Sequence, residues 1–125
     1  MGIAMKGNSM SDSKSNKFIV LYPIPSSVMV DWAKTDPDQR KAAEEKMKAG
    51  WQQWMAAHGK MVKLTEAVGK TKRVTANGIA DAKNDICLYS VIEAESHDAA
   101  VKIFKDHPHL QIPQASIEVM PVRGL

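Results

Sequence analysis

Three observations assign the chain to the α+β class, as a ferredoxin-like sandwich of order strand, helix, strand, strand, helix, strand. Short apolar runs of strand type alternate with two helical stretches in that order. The strand-like runs are apolar on alternate positions of both faces, whereas two crossover helices can cover only one face of a sheet. A chain of 125 residues, 44% hydrophobic and 25% charged, matches a single domain with one core.

The elements follow from local signals. Lys17 to Pro23 (KFIVLYP) is almost wholly apolar and rich in β-branched and aromatic residues, as expected of a strand covered on both faces. Pro23 and Pro25 end it, and Ser27 is placed to cap a short helix over Val28 to Lys34. A long helix follows: Asp36 as N-cap, Pro37 at the first helical position, Gln39 three residues after the cap, and Gly59 as a left-handed stop after His58. Ala43, Met47, Gly50, Trp51, Trp54 and His58 recur on one face of it. Lys60 to Glu66 and Lys70 to Thr75 read as two short strands or one irregular hairpin arm. Ala76-Asn77-Gly78 reads as a turn, because Asn-Gly accepts positive φ. Asp85 to Glu93 (DICLYSVIE) is a strand with Ile86, Leu88, Ser90 and Ile92 on one face and Cys87, Tyr89, Val91 and Glu93 on the other. Ser96 caps the second helix, whose stripe is Ala99, Ala100, Ile103, Phe104 and His107. Pro108 ends it, and Ser116 to Val122 is the last strand.

Residues 1–16 lack a continuous apolar segment of signal-peptide type and read as a disordered leader before a single domain over 17–125. No run approaches the ~18 apolar residues of a membrane span, so no membrane partner is expected. The net charge of +3 comes from scattered lysines rather than a basic cluster interleaved with aromatics, which argues against nucleic acid. One cysteine, Cys87, in an apolar run excludes an internal disulfide and fits a reducing, cytoplasmic setting.

Three segments are similar to the YCII-related family, near its DGPF-motif branch. They are KFIVLYP, the stretch from Val74 to Lys83 against the family turn V-x-D-G-P-[FY]-x-E-x-K, and a closing half containing Leu88 to Ser96, His107-Pro108-His109-Leu110 and Ser116 to Val119. With Gly78 aligned, Asn77 stands at the aspartate and Ile79 at the proline, while Asp81 and Lys83 match in kind. The resemblance covers roughly residues 17 to 122 and implies a dimeric α+β barrel. A His/Asp acid–base pair suggested for relatives has no counterpart here, because no histidine lies near the first strand.

The homodimer expected from the uncovered sheet face agrees with that resemblance. The expected function is binding of a small organic ligand, anions included in that class, in a cleft between sheet and helices. His109 is the candidate acid–base catalyst for proton-transfer or lyase-like chemistry. Its alternative role is a helix-terminal group bonded to free carbonyls. Trp54, Asn77, Asp81, Lys83, Tyr89 and His107 are the candidate ligand-binding residues, although a packed core or interface role is the first reading of His107, and core that of at least one of Trp51 and Trp54. His58, His107 and His109 lack the ligand spacing of a metal centre, so neither metal nor cofactor is expected. The alternative function is a non-catalytic regulatory or interaction module acting as a homodimer.

Overall fold

The computed structural model describes residues 16–124. The leader expected over 1–16 lies outside them except for Asn16, which opens the first strand. Six strands and three helices follow in order: β1 (Asn16–Pro23), α1 (Ser26–Ala33), α2 (Pro37–His58), β2 (Val62–Ala67), β3 (Thr71–Thr75), β4 (Gly78–Ala82), β5 (Ile86–Ala94), α3 (His97–Lys102) and β6 (Glu118–Pro121). A four-stranded antiparallel sheet has the order β2-β5-β1-β6, the ferredoxin-like arrangement. Strands β3 and β4 form a separate hairpin inserted between β2 and β5.

Alternation along the strands builds the core. Phe18, Val20 and Tyr22 of β1 and Ser90, Ile92 and Ala94 of β5 point to the helical layer and are buried. Trp54 of α2, Ala100 of α3 and Phe104 close over them, and Val62, Leu88, Ile117 and Val119 pack at the margin. The opposite face has no covering layer among the described residues. Ile19, Leu21, Tyr89 and Val91 are half-buried there, and Leu64 and Met120 are exposed. Covering on both faces, expected for KFIVLYP, is therefore met on one.

The cap of α2 is as anticipated: the Asp36 carboxylate accepts from the backbone N–H of Asp38 and Gln39, with Pro37 at the first position. Two details differ. Ala43 is exposed, so the packed stripe starts at Met47. Gly59 has φ −59° and ψ −24°, so it is not a left-handed stop but passes into a 3-10 turn over Gly59–Met61.

Helix α3 is shorter than its apolar stripe. The indole N–H of Trp54 donates to the Ile103 carbonyl at 2.7 Å, and the N–H of His107 turns to Phe104 at 3.1 Å. That carbonyl is thereby withdrawn from helical pairing, and the chain descends through tight turns instead. The stripe still holds, with Ala100, Phe104 and His107 all buried. The last strand is likewise shorter than Ser116 to Val122. Strand β4 is an addition where a turn and loop were expected. Its turn places positive φ on Gly78 alone (+137°), not on Asn77, whose backbone N–H donates to Thr75 Oγ1.

Candidate functional site

Two places on the domain concentrate polar chemistry, and they lie on opposite sides of the sheet. The first is a buried cluster beneath α2. Tyr22 stands at its centre, with ring centroids 5.6 Å from Trp51, 5.6 Å from His107, 5.4 Å from His109 and 6.3 Å from Phe104. Its hydroxyl lies 2.8 Å from Ser90 Oγ, which lies 2.6 Å from Thr65 Oγ1, a hydroxyl chain from the core to the edge of β2. Gly50 allows this packing: a Cβ there would stand 3.0 Å from Pro108 Cβ, so α2 approaches the turn carrying both histidines with no room to spare.

His107 and His109 are 1% and 2% exposed. His107 precedes a 3-10 turn over Pro108–Gln111, and its Nδ1 accepts from the N–H of His109 at 3.0 Å. The proton of the neutral ring is then on Nε2, which has no hydrogen-bond partner among the described residues; the ring as a whole packs against the indoles of Trp51 and Trp54, 4.3 Å and 4.7 Å between centroids. Burial, reinforced by the neighbouring His109 and His58, holds the His107 pKa down at about 4. Burial also lowers that of His109, partly offset by backbone hydrogen bonds to Pro23 and Ser116. The Nε2–H of His109 donates to the Pro23 carbonyl at 3.0 Å, clasping the 3-10 turn to the end of β1. Trp54 is 7% exposed with its N–H spent on Ile103. His58 reaches the same cluster through Trp54, 5.1 Å between centroids. Among the described residues, no group of three His, Cys, Asp or Glu side chains has metal-binding geometry.

The second place is the uncovered side, where the base of the β3–β4 hairpin meets the sheet. A cleft of about 460 Å³ has Ile19, Leu21, Ile86 and Tyr89 as its floor and Val68 to Thr71 with Asn84 as its wall. A wider depression continues it past Lys70, Lys72, Asp81 and Lys83. The wall is braced. Asn84 donates to Thr71 Oγ1 at 3.0 Å and accepts from the N–H of Ile86, and Lys72 pairs with Asp81 at 2.6 Å. The Tyr89 hydroxyl donates to the Glu66 carboxylate, which raises the tyrosine pKa. Lys70 and Lys83 have no carboxylate partner among the described residues.

The candidate residues are thus divided. Tyr89 lines the cleft and Asp81 and Lys83 the depression that continues it, whereas Trp54, His107 and His109 are in the helical layer on the other side of the sheet. Asn77 is at the hairpin tip, apart from both. Cys87 is half-buried, its thiol pKa raised chiefly by burial. Sequence patterning did not single out Ser90 and Thr65, nor Val68 to Thr71 and Asn84 as the wall of a cleft. Nor did it mark His97, which stacks on Phe18 (5.5 Å) and donates to the Val119 carbonyl at 2.8 Å.

No family model matches the chain, and no curated protein matches it. Among solved structures the chain is similar to the 5-chloro-2-hydroxyhydroquinone dehydrochlorinase of Burkholderia phenoliruptrix AC1100, determined with 2,5-dihydroxybenzoquinone. The identity is 12%, with 82% of this chain and 90% of that chain covered, at a TM-score of 0.44.

Proposed function

We propose that this YCII-like domain binds a small organic anion in the cleft between the uncovered sheet face and the base of the β3–β4 hairpin, and that it does so as a homodimer. The observation that carries the reading is an apolar floor (Ile19, Leu21, Tyr89) beside two lysines with no carboxylate partner among the described residues, Lys70 in the wall of the cleft and Lys83 in the depression that continues it. Apolar surface contributes affinity and a few fixed polar groups select charge, the usual division of labour in small-molecule sites. The ordered wall, held by Asn84, Thr71 and the Lys72–Asp81 pair, lowers the cost of fixing these groups on binding. The cleft differs from the one expected between sheet and helices, because the helical layer is filled by aromatic rings.

In this reading His109 is a clasp rather than a catalyst: its Nε2–H is committed to Pro23, and its ring lies across the sheet from the cleft. The dimer reading is favoured by the apolar residues of the open face, Leu64 and Met120 among them. Titration calorimetry with benzoate against benzamide tests the anion reading. Benzoate is expected to bind, benzamide to bind at least tenfold more weakly, and the double variant Lys70→Gln/Lys83→Gln to erase the difference. Equal binding of acid and amide, or discrimination that survives the loss of both lysines, would refute it.

A further inference from the structure

We infer that the β3–β4 hairpin is an exchange arm: its apolar tip seats on the uncovered sheet face of a second copy of this chain. The inference deepens the homodimer reading above and rests on it. Its starting point is Val74 and Ile79, directly paired across the hairpin, at 73% and 72% exposure. They are the most exposed large apolar side chains among the described residues. Two adjacent β-branched side chains held in water at the end of a projecting ribbon have no role in the core of their own chain.

Direction and charge name the occupant. Val68 to Thr71, at the root of the hairpin, share a cleft with Ile19, Leu21 and Tyr89, so the arm rises on the uncovered side of the sheet. It is stiffened there by the Lys72–Asp81 pair and the Asn84–Thr71 hydrogen bond. The arm and its root carry Lys70, Lys72, Arg73 and Lys83 against Asp81 alone. The uncovered face presents Glu118, opposite Leu21, and Glu66, opposite Tyr89. A basic ribbon with an apolar tip is thus complementary to an apolar face edged with carboxylates, and one chain carries both. Two copies related by a twofold axis satisfy both surfaces at once and close the assembly, as isologous contacts require. Each arm then roofs the cleft of the other copy, so the site is completed by its partner.

Light scattering over a micromolar concentration series, with the full chain, tests this. The variants are the double Val74→Lys/Ile79→Lys and a control, Val101→Lys, whose side chain is exposed on α3. Both altered arm residues are exposed in the single chain, so folding does not depend on them, and circular dichroism checks that. The expected result is a wild-type dimer, an unchanged control, and an arm variant whose dimer is weakened at least tenfold. A wild-type dimer with an unaltered arm variant overturns the exchange arm and leaves the homodimer reading standing. A wild-type monomer throughout overturns both, and equal weakening by arm variant and control also overturns the arm. Benzoate binding is measured separately, so failure of the anion reading is distinguishable from any of these.

Discussion

Acidification from pH 7 to pH 4 is expected to remove about 3 kcal/mol of stability through His107 alone. In the unfolded chain the imidazole titrates near 6.5, whereas in the folded chain it is held at about 4. The gap of two to three pH units, at about 1.36 kcal/mol per unit, supplies the magnitude. The sign follows from which state binds the proton first. As pH falls below 6.5 the unfolded chain is protonated and the folded chain is not, so stability declines, and the decline levels off as pH falls through 4, where the folded ring too takes up its proton. His107→Asn isolates the effect. Its amide oxygen can still accept from the His109 N–H, as His107 Nδ1 does at 3.0 Å, but nothing at that position titrates. The variant is less stable at pH 7 because ring packing against Trp51 and Trp54 is lost, by roughly 2–4 kcal/mol. Its stability is nevertheless expected to fall less steeply with acid. Urea unfolding followed by far-ultraviolet circular dichroism at intervals between pH 7 and 4 measures both curves. Parallel curves would refute the reasoning.

Further substitutions probe how the same layer is held. Gly50→Ala ordinarily favours a helix by up to about 1 kcal/mol, but here the new methyl meets the rigid Pro108 ring at 3.0 Å, so a net loss of about 1 kcal/mol is expected in chemical denaturation. Gly59→Ala, with helical dihedrals and only the Met55 methyl at 3.5 Å, is expected to be neutral or slightly stabilising in the same assay. Tyr22→Phe removes the buried hydroxyl from Ser90 and is expected to cost about 1 kcal/mol, because Ser90 keeps Thr65 as a partner. Thermal unfolding of Tyr22→Phe and Ser90→Ala, singly and together, measures whether the two losses overlap as a shared bond demands.

What could be read from the sequence was what is decided locally. Asp36-Pro37 announces a helix because the cap bonds form within three residues. The alternation in β5 is visible because that strand sorts its own side chains between two faces, whereas KFIVLYP, apolar on both, hides that only one face of β1 is covered. The burial of His107 was legible from its place on an apolar stripe. The ending of α3 was not, since the group that takes the Ile103 carbonyl, Trp54, lies 49 residues away. The fixing of His109 depends on Pro23, 86 residues distant, which no local pattern encodes. Strand β4 was missed because Gly-Ile-Ala-Asp-Ala has weak strand preference and is held extended by its pairing with β3. The cleft on the uncovered face was not legible for the same reason, since its wall exists only once that hairpin has folded.

The central position of β1 has a consequence for how the chain reaches this state. Both of its neighbours are made late: Tyr22 bonds to Ser90, 68 residues on, and β6 follows later still. At roughly 5–20 residues per second, the first strand waits several seconds on the ribosome for its first partner. During that time Phe18 to Tyr22 is a five-residue apolar run of β-branched and aromatic type with both edges open, a composition that pairs readily with copies of itself. Assembly dominated by such distant pairings belongs to the slow end of small-domain folding, milliseconds to seconds. Nascent chains cut short before residue 86 would therefore be the aggregating species, and Lys17, at the head of the segment, is the one charge placed to restrain them.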